Sequence, residues 1–143
     1  MIAVDTNILI YAHRAEMPFY KKSDKLLTEL VESTQDWAIA WPSIHEFIAV
    51  VTNPKIFKTP TPLKDALIQV DCWLESPYLN LLSENSEYWE VLKEMATKAI
   101  LVGAHIHDIR IAALCVVHHV KTLWSADRDF SHVSGLKVMN PLL

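Results

Sequence analysis

Glycine is nearly absent. The 143-residue chain has two, Gly103 and Gly135, and neither belongs to a G-x-G-x-x-G or G-x-x-x-x-G-K-[ST] pattern. Dinucleotide and P-loop phosphate cradles are therefore excluded. Cysteine is as scarce: Cys72 and Cys115 form no C-x-x-C pair. Their apolar, helix-like contexts read as reduced core residues rather than a disulfide or zinc pair. Long hydrophobic runs are missing too. Although 51% of residues are apolar, the most apolar stretch, Ile109–Val117, falls far short of the ~20 residues a spanning helix needs. The N-terminus lacks a basic leader, and Asp5 interrupts its apolar run. We therefore expect no signal peptide, no membrane segment and a cytoplasmic location. Positive charge is also lacking. The formal net charge of −4 argues against a passive nucleic-acid binder with a basic surface. It does not exclude a nuclease whose acids gather around cations.

What is present is an alternation of short apolar strands and longer helical patterns. Strands are expected at Ile2–Asp5, Trp37–Trp41, Leu79–Leu82, Lys121–Ala126 and Leu136–Met139. Helices are expected at Asn7–Arg14, Phe19–Ser33, from Pro42 to about Asn53, Leu63–Glu75, Glu84–Ile100 and Ile106–His118. Pro42 suits the first turn of its helix. Pro54, Pro60 and Pro62 mark a stiff loop. This order implies an α/β fold with a mainly parallel central sheet. No linker or internal repeat divides it, so residues 1–143 read as one domain.

Several acids do not fit their apolar surroundings. Asp5 ends the first strand, and Asp127 follows the strand in "KTLWSA". In folds of this class, ligands bind beyond the carboxyl ends of the strands. Glu46 lies on a helix whose core stripe is Ile44, Phe47, Ile48 and Val51, and it points away from that stripe. Asp108 precedes a helix that is apolar nearly all round, so a buried acid is expected there. Each acid alone also reads as a helix cap, a turn residue or part of a solvated face. Packed together without cations, four carboxylates would repel or be forced to protonate. Hard divalent cations resolve the conflict, and oxygen ligands suit Mg²⁺ or Mn²⁺.

These residues bring a family into view. "IAVDTNILIYA", "PSIHEFIAVVTNP", "HDIRIAALCVVHHV" and "LWSADRDFSHVSGLKVMNPL" resemble, in order, the four motifs of PIN-domain nucleases, specifically the VapC toxins of type II toxin–antitoxin systems. The resemblance implies a single PIN domain, a three-layer α/β/α sandwich. It implies that Asp5, Glu46, Asp108 and Asp127 are catalytic and hold the metal. Thr6, Asn7, Ser125 and, more weakly, Asp129 support them; Ser125 stands where the family often has threonine. The implied activity is a Mg²⁺- or Mn²⁺-dependent endoribonuclease that uses metal-activated water and leaves a 5′-phosphate and a 3′-hydroxyl. The implied partners are an RNA substrate, a cognate antitoxin and a second copy of the chain.

Histidine, arginine and tryptophan offer further candidates. His105 and His107 have ligand spacing, but no second cluster converges with them for zinc. Arg128, inside the last acidic motif, and Arg14 are candidates for substrate phosphate. Of the five tryptophans, most belong in the core, leaving one or two for a dimer interface or antitoxin groove. Two other functions remain in play. A haloacid-dehalogenase-like phosphatase would use Asp5 as nucleophile, but Asn7 stands where its second aspartate is needed. A non-catalytic PIN binding module would not require all four acids.

Overall fold

The computed structural model describes residues 1–99, 103–127 and 135–143. Its elements are β1 (Ile2–Val4), α1 (Thr6–His13), α2 (Tyr20–Glu32), β2 (Trp37–Ala40), α3 (Trp41–Val51), α4 (Leu63–Leu74), β3 (Leu79–Leu82), α5 (Tyr88–Ala99), a 3₁₀ turn (Gly103–His105), α6 (Ile106–Val117), β4 (Thr122–Trp124) and β5 (Lys137–Met139). The five strands form one sheet in the order β3-β2-β1-β4-β5, and every neighbouring pair is parallel. The chain first moves outward from β1 to β2 and β3, then returns to the opposite side of β1 for β4. The β1/β4 boundary is therefore the topological switch point, where a crevice opens beyond the strand ends.

Alternation along the strands sorts side chains into two layers. Val4, Trp37, Ile39 and Trp124 join Ile8, Leu9, Leu27, Ile44, Phe47 and Trp73 on the face covered by α1 to α4. Ala3, Ala38, Ala40 and Leu123 pack on the other face with Ile111, Ala112, Leu114 and Cys115 of α6. The alanines on that second face leave little bulk between α6 and the sheet, and Ala112 and Ala113 are 0% exposed. Trp37 is buried whole, and its indole Nε1 donates to Ser76 Oγ at 3.0 Å. The expected three-layer sandwich is the architecture observed.

Two expectations need correction. Cys115 is buried, but Cys72 is exposed. The buried stripe of α4 is Ala66, Val70 and Trp73, and Cys72 falls off it by about 100°. Helix α5 begins at Tyr88 rather than Glu84. Asn85 makes a turn ahead of it, with its side chain accepting from the Glu87 N–H at 3.0 Å and its carbonyl from the Tyr88 N–H at 3.1 Å. No helix among the described residues is long and apolar enough to cross a membrane.

Candidate active site

Asp5 occupies the join between sheet and helix. Its N–H donates to Trp124 O at 2.9 Å, extending the β1/β4 pairing by one residue. Its backbone is extended (φ −79°, ψ 162°), which makes it the N-cap of α1. Its carboxylate, on a residue only 6% exposed, accepts from Thr6 N–H through Oδ1 at 2.8 Å and from Ser125 Oγ–H through Oδ2 at 2.8 Å. The cap reading and the site reading of Asp5 are thus compatible: each oxygen gives one lone pair to the protein and keeps another.

Ser125, 1% exposed, is the hub. Its hydroxyl donates to Asp5 and accepts from the Asp127 N–H at 3.0 Å and the Asn7 amide at 3.3 Å. Asn7 returns a second bond, its Oδ1 accepting from the Ala126 N–H at 3.1 Å. The first turn of α1 is thereby clasped to the segment that leaves β4. Glu46 enters from α3: the Thr6 hydroxyl donates to its Oε2 at 3.1 Å. Two small hydroxyl residues thus tie Asp5, Glu46 and the Asp127 backbone into one hydrogen-bonded set.

The electrostatics follow from this placement. Burial pushes the Asp5 carboxyl up from 3.8 to about 6. The Ser125 and Thr6 hydrogen bonds oppose that rise, while the negative charges of Glu46 and Asp127 add to it. Cys115, beneath the site on α6, is pushed up to about 12, first by burial and then by the charge of Asp5. Asp108 lies in the first turn of α6, on the helix face that two turns later carries Cys115. Its side chain is 41% exposed, with Oδ2 at 3.8 Å from His105 Nδ1. It is therefore half-exposed rather than buried, because the buried positions of α6 begin only at Ile109. No hydrogen bond joins it to Asp5 among the described residues. Arg128 and Asp129 lie outside the described residues.

The donor set at Asp5 is all oxygen, as a hard divalent cation prefers, and the repulsion from Glu46 and Asp127, which adds to the effect of burial on the Asp5 carboxyl, is the kind a cation relieves. The residues fit such an ion in chemistry. Among the described residues, however, no three His, Cys, Asp or Glu side chains stand close enough to enclose one.

Arg14 sits at the far end of α1, about nine residues and so roughly 13 Å of helix rise from Asp5. Its guanidinium donates to Thr61 Oγ1 at 3.0 Å and to Thr59 O at 2.8 Å, pairs with Glu16, and lies 4.2 Å over the Phe57 ring. His13 beside it bridges Gln69 and Thr61 at 3.1 and 3.0 Å. Both side chains anchor the proline-rich loop. Reading along the sequence offered Arg14 to phosphate because nothing in it marks Thr59 or Thr61 as partners, beyond the prolines that stiffen them.

Known proteins similar to this chain identify its family. The PIN domain family profile matches residues 2–136, and the chain belongs to the PIN-domain family. Within that family it is of the VapC type. It is 32% identical to ribonuclease VapC43 of Mycobacterium tuberculosis over 142 residues, 99% of this chain and 96% of that one. It is 25% identical to ribonuclease VapC48 of the same organism over 137 residues, 96% and 94% of the two chains. Among solved structures, M. tuberculosis VapC20, described as a sarcin–ricin loop cleaving toxin, superposes with TM-score 0.70 at 13% identity, covering 96% of this chain and 98% of that one. VapBC-1 of nontypeable Haemophilus influenzae superposes with TM-score 0.68 at 17% identity over the whole of both chains.

Proposed function

We propose that this chain, as a single PIN domain over residues 1–143, is the ribonuclease toxin of a toxin–antitoxin pair. It hydrolyses RNA phosphodiester bonds with Mg²⁺ or Mn²⁺ held by Asp5, Glu46, Asp108 and Asp127. The observation that carries the reading is the Ser125 hydroxyl, which holds the buried Asp5 carboxylate with one bond and the Asp127 backbone with another. The relatives' ribonuclease names support the activity. VapBC complexes among the structural neighbours support an antitoxin partner. Leu63, Leu67 and Leu74 of α4 are each at least 40% exposed, which favours a covered face there, from the antitoxin or a second copy.

When bound, the cation would acidify water and neutralise phosphate charge. The chain's own residues do the rest. Thr6 and Ser125 fix the Asp5 oxygens and leave each a lone pair for the ion. Glu46 and Asp127, more exposed than Asp5, are carboxylates that substrate and its water can approach. Asn7 keeps the Asp127 segment against α1. Because Asn7 spends its amide on that clasp, the position where an aspartyl-phosphatase needs its second acid serves architecture instead.

The test is cleavage of a total RNA pool by the purified chain with Mg²⁺ or Mn²⁺, repeated with chelator and with Asp5→Asn. Cleavage lost in both controls supports the reading. Equal cleavage by Asp5→Asn, or a stable phosphoryl adduct on Asp5 by intact mass after a phosphoester is added, would overturn it.

A further inference from the structure

Helix α3 carries a feature that the acid site does not use. Trp41 and His45, one turn apart, stack with ring centroids 6.1 Å apart and planes inclined at 28°. Trp41 is half-buried and packs in part against the main core, so its ring is anchored. His45 is exposed. The pair stands where β2 ends, and β2 pairs with β1 with Ile2 opposite Trp37 and Ala3 opposite Ala38. Carrying that register forward puts Ala40 level with Asp5 on a strand ~4.8 Å away. Trp41 is the next residue, and Glu46 follows five residues later on the same helix.

We infer that Trp41 and His45 form a stacking platform for an unpaired RNA base flanking the scissile phosphate, and so set substrate preference; this rests on the ribonuclease reading. The charge distribution asks for such a device. The chain is net −4, its site gathers carboxylates, and the guanidinium of Arg14 is engaged within the chain. Arg14 therefore adds little hold on an RNA phosphate. An aromatic face binds any splayed base without needing positive charge, and its strength varies with the base. Half-burial holds Trp41 in one orientation, which lowers the entropy lost when a base docks.

The experiment uses a randomised single-stranded RNA pool, the full-length chain and Mg²⁺ or Mn²⁺, with the cleaved ends sequenced and unfolding midpoints measured in parallel. Trp41→Leu should lower kcat/KM about ten-fold or more, mainly through KM, and flatten base preference beside the cut. Trp41→Phe should keep most of both, and His45→Ala should fall between. Unchanged cleavage and preference in Trp41→Leu overturns the platform alone. So does equal impairment of Trp41→Phe and Trp41→Leu in step with lost stability, which marks a packing role. Conversion of a dimer to a monomer by Trp41→Leu overturns it in favour of a contact between copies. A wild-type chain that cleaves no RNA under either cation removes the ribonuclease reading first and the platform with it.

Discussion

Replacing Asp5 with asparagine should change how stability depends on pH, and the size of the change follows from the site. In the metal-free protein, burial and the neighbouring acids raise the Asp5 carboxyl from 3.8 to about 6. Between those values the folded state binds more protons than the unfolded one, so this group makes stability fall as pH rises. About two pK units at ~1.4 kcal/mol each give a loss of roughly 3 kcal/mol between pH 4 and pH 8. Asparagine cannot ionise, so that component vanishes. The replacement has its own cost, because both Asp5 oxygens accept bonds, from Thr6 N–H and Ser125 Oγ–H, and asparagine has one oxygen. One unmatched donor costs about 1–2 kcal/mol at any pH. The variant should therefore be less stable than wild type at pH 4 by about that amount and more stable at pH 8 by a similar amount. Urea unfolding with chelator present, at a series of pH values, measures the difference. Groups that Asp5 does not touch titrate alike in both proteins and cancel. Parallel curves for the two proteins would refute the reasoning, since Asp5 would then have the same proton affinity folded and unfolded. Adding Mg²⁺ at pH 8 should stabilise wild type, by ~2.7 kcal/mol at a hundred times its Kd, and the variant much less.

Ser125→Ala removes the hydroxyl shared by Asp5, Asn7 and Asp127; RNA cleavage should drop at least about ten-fold, with Ser125→Thr retaining most of it in the same assay. Trp37→Phe should destabilise by ~2 kcal/mol in urea unfolding, through a lost hydrogen bond and lost volume. Because the indole donates to Ser76 Oγ, the double variant with Ser76→Ala should fall short of additivity by ~1 kcal/mol. Ala112→Leu puts bulk where α6 meets Ala3, Ala38 and Ala40; it should cost ~1–3 kcal/mol by overpacking and shift the thermal midpoint downward accordingly.

The strands and most helices were legible because each is a short apolar run bounded by turn residues. Strand ends were legible for the same reason, which is why Asp5 and Asp127 could be assigned to one edge. Burial was less legible. Helix α4 carries Leu67, Ile68, Cys72 and Leu74 outside its buried stripe, so its apolar pattern does not say which face is inward, and Cys72 was misplaced. Asp108 was misplaced because the apolar character of α6 starts one residue after it. The partners of Arg14 and His13 sit across the fold on the loop holding Thr59 and Thr61, and no local pattern predicts a contact of that range.

The strand order explains why short polar residues recur around the acids. At the switch point, β1 and β4 run side by side and their chains then diverge, β1 into α1 and β4 into the segment carrying Asp127. Diverging chains leave backbone N–H groups without ladder partners. Asp5, Asn7 and Ser125 have side chains short enough to reach back and accept from those groups, the N–H groups of Thr6, Ala126 and Asp127. The same side chains fix the acids, since the Asp127 N–H and the Asp5 carboxylate meet on one hydroxyl. An apolar residue at position 125 would leave both the Asp127 N–H and the Asp5 Oδ2 unmatched. The polar residues that finish the sheet are therefore the ones that build the site, and a substitution there cannot disturb one without the other.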